Sequence, residues 1–557
     1  MSVPLECAVD GFASLRTAAV MAHGGGPVGS RLVGGSLSTR DHLWSAGLAL
    51  VLAVQAGWFA ASTSGTQDET GYLWHGVSIY RHGDFAGLPE GGIAPLPILL
   101  AMAAPAVLDP PGYAAAIRLA RASAIALFGV PLIVLTYATL LRTCGRAAAV
   151  TGAALIALSP NIIAHAALAT TDVCFVVAAL AALGTLVRYV ELRTRARLAW
   201  LAAALSVALA AKYSGIVLFA VTAMVLVVTD RDHIGFRRGA HAVLVTCALA
   251  ATAVVVVWAL HAFTFVPRPT RRFGSVSLPA VVAGLLYQAG HQHAGHPAFL
   301  MGERSIVGWW YYMPAALALK STPAELVVLG YSLCVCVTGW RRVSARSLVW
   351  RVALITFGLF AMMSHLALGV RYVLIVPPLC ALIALDDWHR RTAGRPRWRW
   401  AAGVGLVAAQ AVSAATIAPH YLGYFNGFSG GPATGYRYLA DSNVDWGQDL
   451  PALRDTLARV GAKRPLVSYF GSAPFDEYGV FADVWDRNTV PNSTRWDWVA
   501  LSVTHLDGLY IPNDIFQPFR SLTPSARAGY SILLYDTSRP EVRAAMATVA
   551  ERWPASE

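Results

Sequence analysis

The residues able to do chemistry lie in a few short blocks. Gln67-Asp68-Glu69-Thr70 follows the first long apolar run, and His165-Ala166-Ala167-Leu168-Ala169-Thr170-Thr171-Asp172 joins two later ones. Lys212 stands alone between apolar residues. A further block holds His291, His293 and His296, then Gly302-Glu303-Arg304, Trp309-Trp310-Tyr311-Tyr312 and Lys320. Arg371 opens another apolar run, and Asp441-Ser442-Asn443-Val444-Asp445-Trp446-Gly447-Gln448-Asp449 follows the last one. A carboxylate at an interface can take a proton from a hydroxyl. Arginine holds an anion with paired hydrogen bonds, and lysine holds it as a point charge. Charged groups at the ends of membrane spans are costly, which makes them functional candidates.

The elements that must position these blocks follow from composition. Of 557 residues, 56% are hydrophobic and 13% charged, against about 45–50% and about 25% in soluble domains. A soluble globule, a disordered chain and a small disulfide scaffold are all excluded. A span needs about 20 apolar residues, and about eleven stretches qualify: 42–61, 122–141, 147–166, 172–190, 198–212, 214–229, 239–261, 322–339, 350–368, 371–386 and 400–418. The pair at 198–229, split by Lys212 and Tyr213, reads as a helical hairpin. Ala94–Leu108, with Pro95, Pro97 and Pro105, reads as a short interfacial helix rather than a further span.

Orientation comes from arginine. The net charge is +12, and with eleven spans the clusters at Arg142/Arg146, Arg188–Arg197, Arg231–Arg238, Arg341–Arg351 and Arg390–Arg399 all fall on one side, the cytoplasm by the positive-inside rule. The expected protein is an α-helical polytopic protein of the cell (inner) membrane, with its N-terminus cytoplasmic and its C-terminus outside. Residues 1–41 form a flexible cytoplasmic tail without the pattern of a cleavable signal peptide. Residues 42–419 form the transmembrane unit, with outer loops 62–121 and 263–321. Residues 420–557 form a small extracytoplasmic α/β domain, with a helix from about Pro451 and strands at Pro465–Phe470, Trp498–Val503 and Tyr530–Tyr535. None of the seven cysteines lies in an outer segment, so no disulfide framework is expected. In this topology every reactive block lies at one depth on the outer side. That favours chemistry or binding at the outer interface over a path through the membrane.

Four of the blocks together resemble the GT-C lipid-linked-sugar glycosyltransferases: Asp68-Glu69, the run ending at Asp172, Gly302-Glu303-Arg304 through Tyr312 with Lys320, and Asp441–Asp449. The likeness is to the protein O-mannosyltransferase-like family (glycosyltransferase family 39) and its aminoarabinose-transferase relatives. It implies a polytopic enzyme that moves a sugar from a polyprenyl phosphate to an acceptor hydroxyl outside the membrane. Asp68 is then the general base, Glu69 its tuning or acceptor-orienting neighbour, and Asp172 a supporting acid or sugar contact. Arg371, Lys212 and Arg304 are candidates for the donor phosphate. His165, Glu303, Trp309, Tyr312, Asp445 and Gln448 are candidates for substrate contacts. Attack opposite the phosphate inverts the anomeric centre. The expected partners are the lipid-linked sugar, a glycan, lipid or protein acceptor, and the bilayer; no nucleic acid is expected. No cofactor is assigned, and a divalent metal is compatible without being predicted.

Plainer readings stand beside these. Asp68-Glu69 and Asp172 also suit helix caps, and Asp445–Asp449 suits a cap for the helix at Pro451. Trp309–Tyr312 also suits an interfacial aromatic belt. The three histidines suit a solvated loop better than a metal site, and Arg118, Arg121 and Arg272 suit lipid headgroups. Asn492-Ser493-Thr494 matches a glycosylation sequon. The alternative function is a transporter or flippase of lipid-linked saccharides, which would place ionisable groups at mid-membrane.

Overall fold

The computed structural model describes residues 38–230, 233–270, 274–338, 343–392, 396–485 and 495–552. The expectations for the N-terminal tail before residue 38, Cys7, Arg231, Arg272, Arg341, Arg342, Arg395 and the sequon lie outside the described residues. Thr39–Glu557 is a single compact unit.

The protein is a multi-pass membrane protein. Among the described residues, six helices are long and apolar enough to span a bilayer: Thr39–Ser62, Tyr113–Cys144, Thr171–Glu191, Phe236–Leu260, Ala345–Met363 and Trp400–Ile417. Arg146–Ala157 and Pro160–Ala167, bent by 65° at their junction, make a seventh if taken as one span. Of the eleven expected stretches, six, or seven with the bent pair, are thus long and apolar enough to cross. The other apolar stretches do form helices, but short ones: Arg195–Ala211, Val217–Thr229, Pro323–Thr338 and Val376–Arg391. A 16-residue helix rises about 24 Å, less than the hydrocarbon thickness of about 30 Å. The breaks have local causes. Pro160 cannot continue the preceding helix because it lacks an N–H. Lys212 leaves the helical conformation at φ −161° and ψ 138°.

Ala94–Leu108 divides into Pro95–Ala101 and Ala103–Leu108, each far too short to cross. The second span starts at Tyr113, well before residue 122, and carries Arg118 and Arg121 near its N-terminal end.

Beyond the last span, short 3₁₀ turns lead to the helix Leu450–Val460 and a five-stranded mixed sheet. Pro465–Ser468 pairs in parallel with Asp483–Val484 on one side and Trp498–Ser502 on the other. Ile532–Asp536 runs antiparallel to Trp498–Ser502, and Ala526–Ala528 closes the other edge. The helix buries Leu450, Leu453 and Leu457 against apolar residues of this sheet.

This domain is tied to the rest of the chain by hydrogen bonds. Ser64 N donates to Gln448 O at 2.9 Å and Gln67 N to Trp446 O at 3.0 Å. Met301 N donates to Tyr438 O at 2.9 Å, and the Ser442 hydroxyl to Leu368 O at 2.5 Å. Segments far apart in sequence are thereby fixed side by side around the reactive blocks.

Candidate active site

The helix Gln67–His82 sets the first carboxylate in place. The Glu69 carboxylate reaches back to its start, accepting from the Thr66 backbone N at 2.9 Å and the Thr66 hydroxyl at 3.0 Å, the side-chain half of a capping box. It also accepts from Arg121 Nε at 2.9 Å, Arg121 Nη2 at 2.6 Å and Ala169 N at 2.9 Å. Arg121 spends its remaining donors on Ala60 O, Thr63 O, Thr63 Oγ1 and Ser64 O. Both side chains are fully buried. Burial alone would raise the Glu69 carboxyl, but the Arg121 charge and the hydrogen bonds outweigh it and hold the group below its ordinary range. Arg121 is thus corrected from a headgroup contact to the partner of a buried acid. Glu69 is turned away from any acceptor and locks the helix start to two spans.

Asp68, one residue earlier, faces the other way. It lines a cavity of about 930 Å³ together with Tyr72, Lys212, Arg371, Asp441, Trp446 and Tyr510. Arg371 Nη1 donates to Asp68 Oδ2 at 2.7 Å. The Arg371 guanidinium lies 4.3 Å from the Trp446 ring centroid and 5.4 Å from that of Tyr372, close enough for cation–π attraction. Its Nε is buried and has no hydrogen-bond partner among the described residues. Lys212 Nζ pairs with Asp172 Oδ1 at 2.5 Å and stands 4.5 Å over the same Tyr372 ring. Asp68 and Arg371, 303 positions apart, are therefore in contact, with the Asp172–Lys212 pair beside them.

The other wall of the cavity is a polar chain. Tyr510 donates to Asp441 Oδ2 at 2.5 Å, its hydroxyl meets His296 Nε2 at 2.7 Å, and His296 Nδ1 meets His291 Nε2 at 3.0 Å. Burial, with His291 and Arg371 nearby, pushes the His296 imidazole down to about 4. Burial raises the Asp441 carboxyl, partly offset by Arg371.

The remaining candidates are dispersed. His165 is buried, 6.0 Å from Trp446 between ring centroids, and neither ring nitrogen has a partner among the described residues. Glu303 is exposed on a short hairpin, Ala298–Leu300 with Glu303–Ser305. Arg304 pairs at 2.8 Å with Asp514 of the C-terminal domain and is not among the residues that line the cavity. Trp309 stacks at 6.4 Å on buried Tyr312, whose hydroxyl accepts from Asn443 Nδ2 at 3.0 Å. Asp445 accepts from Thr504 N at 3.1 Å and Gly447 N at 3.3 Å, and burial pushes its carboxyl up to about 7. Gln448 closes its own turn, accepting from Trp446 N at 2.8 Å and donating to Val444 O at 2.8 Å. Asp445 and Gln448 thus hold the loop that presents Trp446; they do not face the cavity.

Sequence reasoning missed Tyr72, Tyr372, Trp446, His505 and Tyr510 as cavity-lining residues. Tyr72 had a signal, since it stands one helical turn after Asp68 on the same face. Tyr510 and His505 come from the C-terminal domain, where no pattern marks them.

Comparison with known proteins adds a family. Residues 115–258 match the family described as dolichyl-phosphate-mannose-protein mannosyltransferase. Comparison with curated sequences gives no match. Among solved structures, the chain is similar to ArnT from Cupriavidus metallidurans bound to undecaprenyl phosphate: 14% identity, TM-score 0.47, covering 91% of this chain and 99% of that one. It is also similar to the S. cerevisiae protein O-mannosyltransferase Pmt1-Pmt2 complex bound to its sugar donor, at 16% identity and TM-score 0.30, covering 41% of this chain and 34% of that one. A third is the oligosaccharyltransferase AglB from Archaeoglobus fulgidus with an inhibitory peptide and a dolichol-phosphate, at 13% identity and TM-score 0.42, covering 84% and 70%. The matched segment contains Lys212, which lines the cavity, and its partner Asp172. Over residues 115–258 the chain is thus similar to the family of dolichyl-phosphate-mannose-protein mannosyltransferases.

Proposed function

We propose that the cavity transfers a sugar from a polyprenyl-phosphate donor to an acceptor hydroxyl, with Asp68 as the base and Arg371 as the principal phosphate contact. The observation that carries this reading is the Asp68–Arg371 contact at 2.7 Å inside the cavity, with Arg371 Nε still unpaired. A guanidinium has five donors, so this one has capacity left for a phosphodiester. The aromatic faces of Trp446 and Tyr372 hold it in position. Lys212, neutralised by Asp172, adds a second cation at the same wall.

The step balances as a single displacement. The acceptor oxygen bonds to the anomeric carbon, the bond from that carbon to the phosphate oxygen breaks, and polyprenyl phosphate leaves with the bonding electrons. Asp68 takes the acceptor's proton. An arginine drawn onto the phosphate no longer pairs with Asp68, which leaves both carboxylate oxygens to accept the proton. Donor binding thereby readies the base. Charge accumulates on the departing phosphate, where a fixed cation in a partly buried site is most effective. The single displacement gives inversion. The orientation proposed with it places the cavity, the C-terminus and the long loops outside and the arginine-rich turns in the cytoplasm.

The test is release of polyprenyl phosphate from a radiolabelled lipid-linked sugar, dependent on an added acceptor fraction. Arg371→Gln is expected to weaken donor binding, and Asp68→Asn to abolish turnover while donor binding persists. Wild-type turnover in Asp68→Asn removes Asp68 as the base.

A further inference from the structure

At the far end of the helix Val217–Thr229 from the cavity, about 20 Å away by its helical rise, a second cluster of ligating side chains comes together. Asp230 follows that helix directly, and its side chain is 1% exposed. Its Oδ2 lies 3.0 Å from His233 Nδ1 and 2.9 Å from His241 Nδ1. The two imidazoles stack with centroids 4.5 Å apart, and each is about one-third exposed (37% and 36%). The three ligand atoms all lie within 4.8 Å of one another. Arg193 Nη1 stands 3.6 Å from the other oxygen, Oδ1, which fixes the plane of the carboxylate and leaves Oδ2 to the histidines.

We propose that Asp230, His233 and His241 bind one divalent transition-metal ion of the zinc class. Two imidazole nitrogens and one carboxylate oxygen are the ligand set such ions favour. Ligands about 2.0–2.2 Å from a tetrahedral metal stand roughly 3.3 Å apart, close to the two Nδ1···Oδ2 separations found here. Binding needs both imidazoles as the Nε2–H tautomer, so that the Nδ1 lone pairs face the ion and the N–H groups point toward solvent. The half-exposed rings leave a fourth position for water. Arg193 acts on the ligand carboxylate from behind, as an orienting partner. The metal clamps the turn between Val217–Thr229 and Phe236–Leu260 to the neighbouring turn that carries Arg193. It plays no part in transfer, and the proposal stands independently of the reading of the cavity.

The experiment uses the full chain purified in detergent, stripped of metal and titrated with Co²⁺ and Zn²⁺. Binding is read by elemental analysis and by the visible absorption of bound Co²⁺. One equivalent is expected in the wild type, absent from His233→Ala and His241→Ala and retained in His291→Ala. His241→Gln keeps a hydrogen-bond donor toward Asp230, so loss of metal with an unchanged elution profile and transfer rate separates ligation from folding. No bound metal in the wild type, metal unaffected by both histidine substitutions, or metal lost only in His291→Ala would each overturn the site.

Discussion

Asp68 and Glu69 are neighbours in sequence with opposite fates, and the difference is their partners. Glu69 is enclosed by three donor groups and Arg121, while Asp68 accepts a single hydrogen bond, from Arg371, at the edge of a cavity. Substitutions at the two should therefore fail differently. Asp68→Asn keeps the shape and removes the base, so transfer should fall by about 10²–10⁴-fold with the thermal midpoint unchanged. A fall in thermal midpoint alongside the rate would assign Asp68 a structural role. Glu69→Ala leaves the Arg121 charge buried without its counterion, a loss of about 3–5 kcal/mol, read as a lowered unfolding temperature in detergent. The same pair carries a pH signature. The Glu69 carboxyl is held below its ordinary value of 4.5, so its contribution is fully present above that value and is lost as pH falls through the depressed one. Wild-type stability should drop in that acidic window, and the Glu69→Ala chain should lack this component.

At the scale of elements, apolar runs told where helices form but not how long they are. Pro160 ends a helix inside a stretch that reads as continuous, whereas the break at Lys212 was legible in the sequence, and pairing with Glu69 lets Arg121 sit inside a span that charge alone would end before it. The strands at 465, 498 and 532 and the helix after Pro451 were legible because their alternation and periodicity are local. The loop from Asp441 to Asp449 was legible as a block of polar residues but not in its roles. Which of them face the cavity depends on contacts with Thr504, Tyr510 and Leu368, none of them near in sequence. Gly447 is the hinge of that loop. It has φ +83°, and a Cβ there would stand 2.8 Å from Phe470 O and 2.9 Å from Gly471 Cα. Gly447→Ala should shift the adjacent Trp446 off the Arg371 face and lower transfer several-fold while the chain still folds. Full activity in this variant would show that the Trp446 contact is dispensable.

Across the whole molecule, the cavity belongs to neither the membrane helices nor the C-terminal domain alone. Asp68, Lys212 and Arg371 come from one, and Asp441, Trp446, His505 and Tyr510 from the other. A chain ending near Arg437 should therefore have no transfer activity even where it inserts, as measured with labelled donor in membranes. Retained activity would make the domain an accessory. Topology is open to an equally simple check. A reporter active only outside the cytoplasm, fused after the last residue, should be active, and an inactive one would invert the proposed orientation. The convergence of Asp68 and Arg371 was readable from their shared position at the outer ends of spans. The tyrosines and the tryptophan that frame them were not, because aromatic residues are common at membrane interfaces whether or not they line a site.

The most direct measurement is the structure of the full chain with a bound polyprenyl phosphate. The account predicts the phosphate within hydrogen-bond distance of Arg371, with Lys212 nearby and the Asp68 carboxylate released toward the acceptor side of the cavity. A phosphate bound elsewhere, with Asp68 and Arg371 still joined as they are in the lipid-free chain, would contradict it.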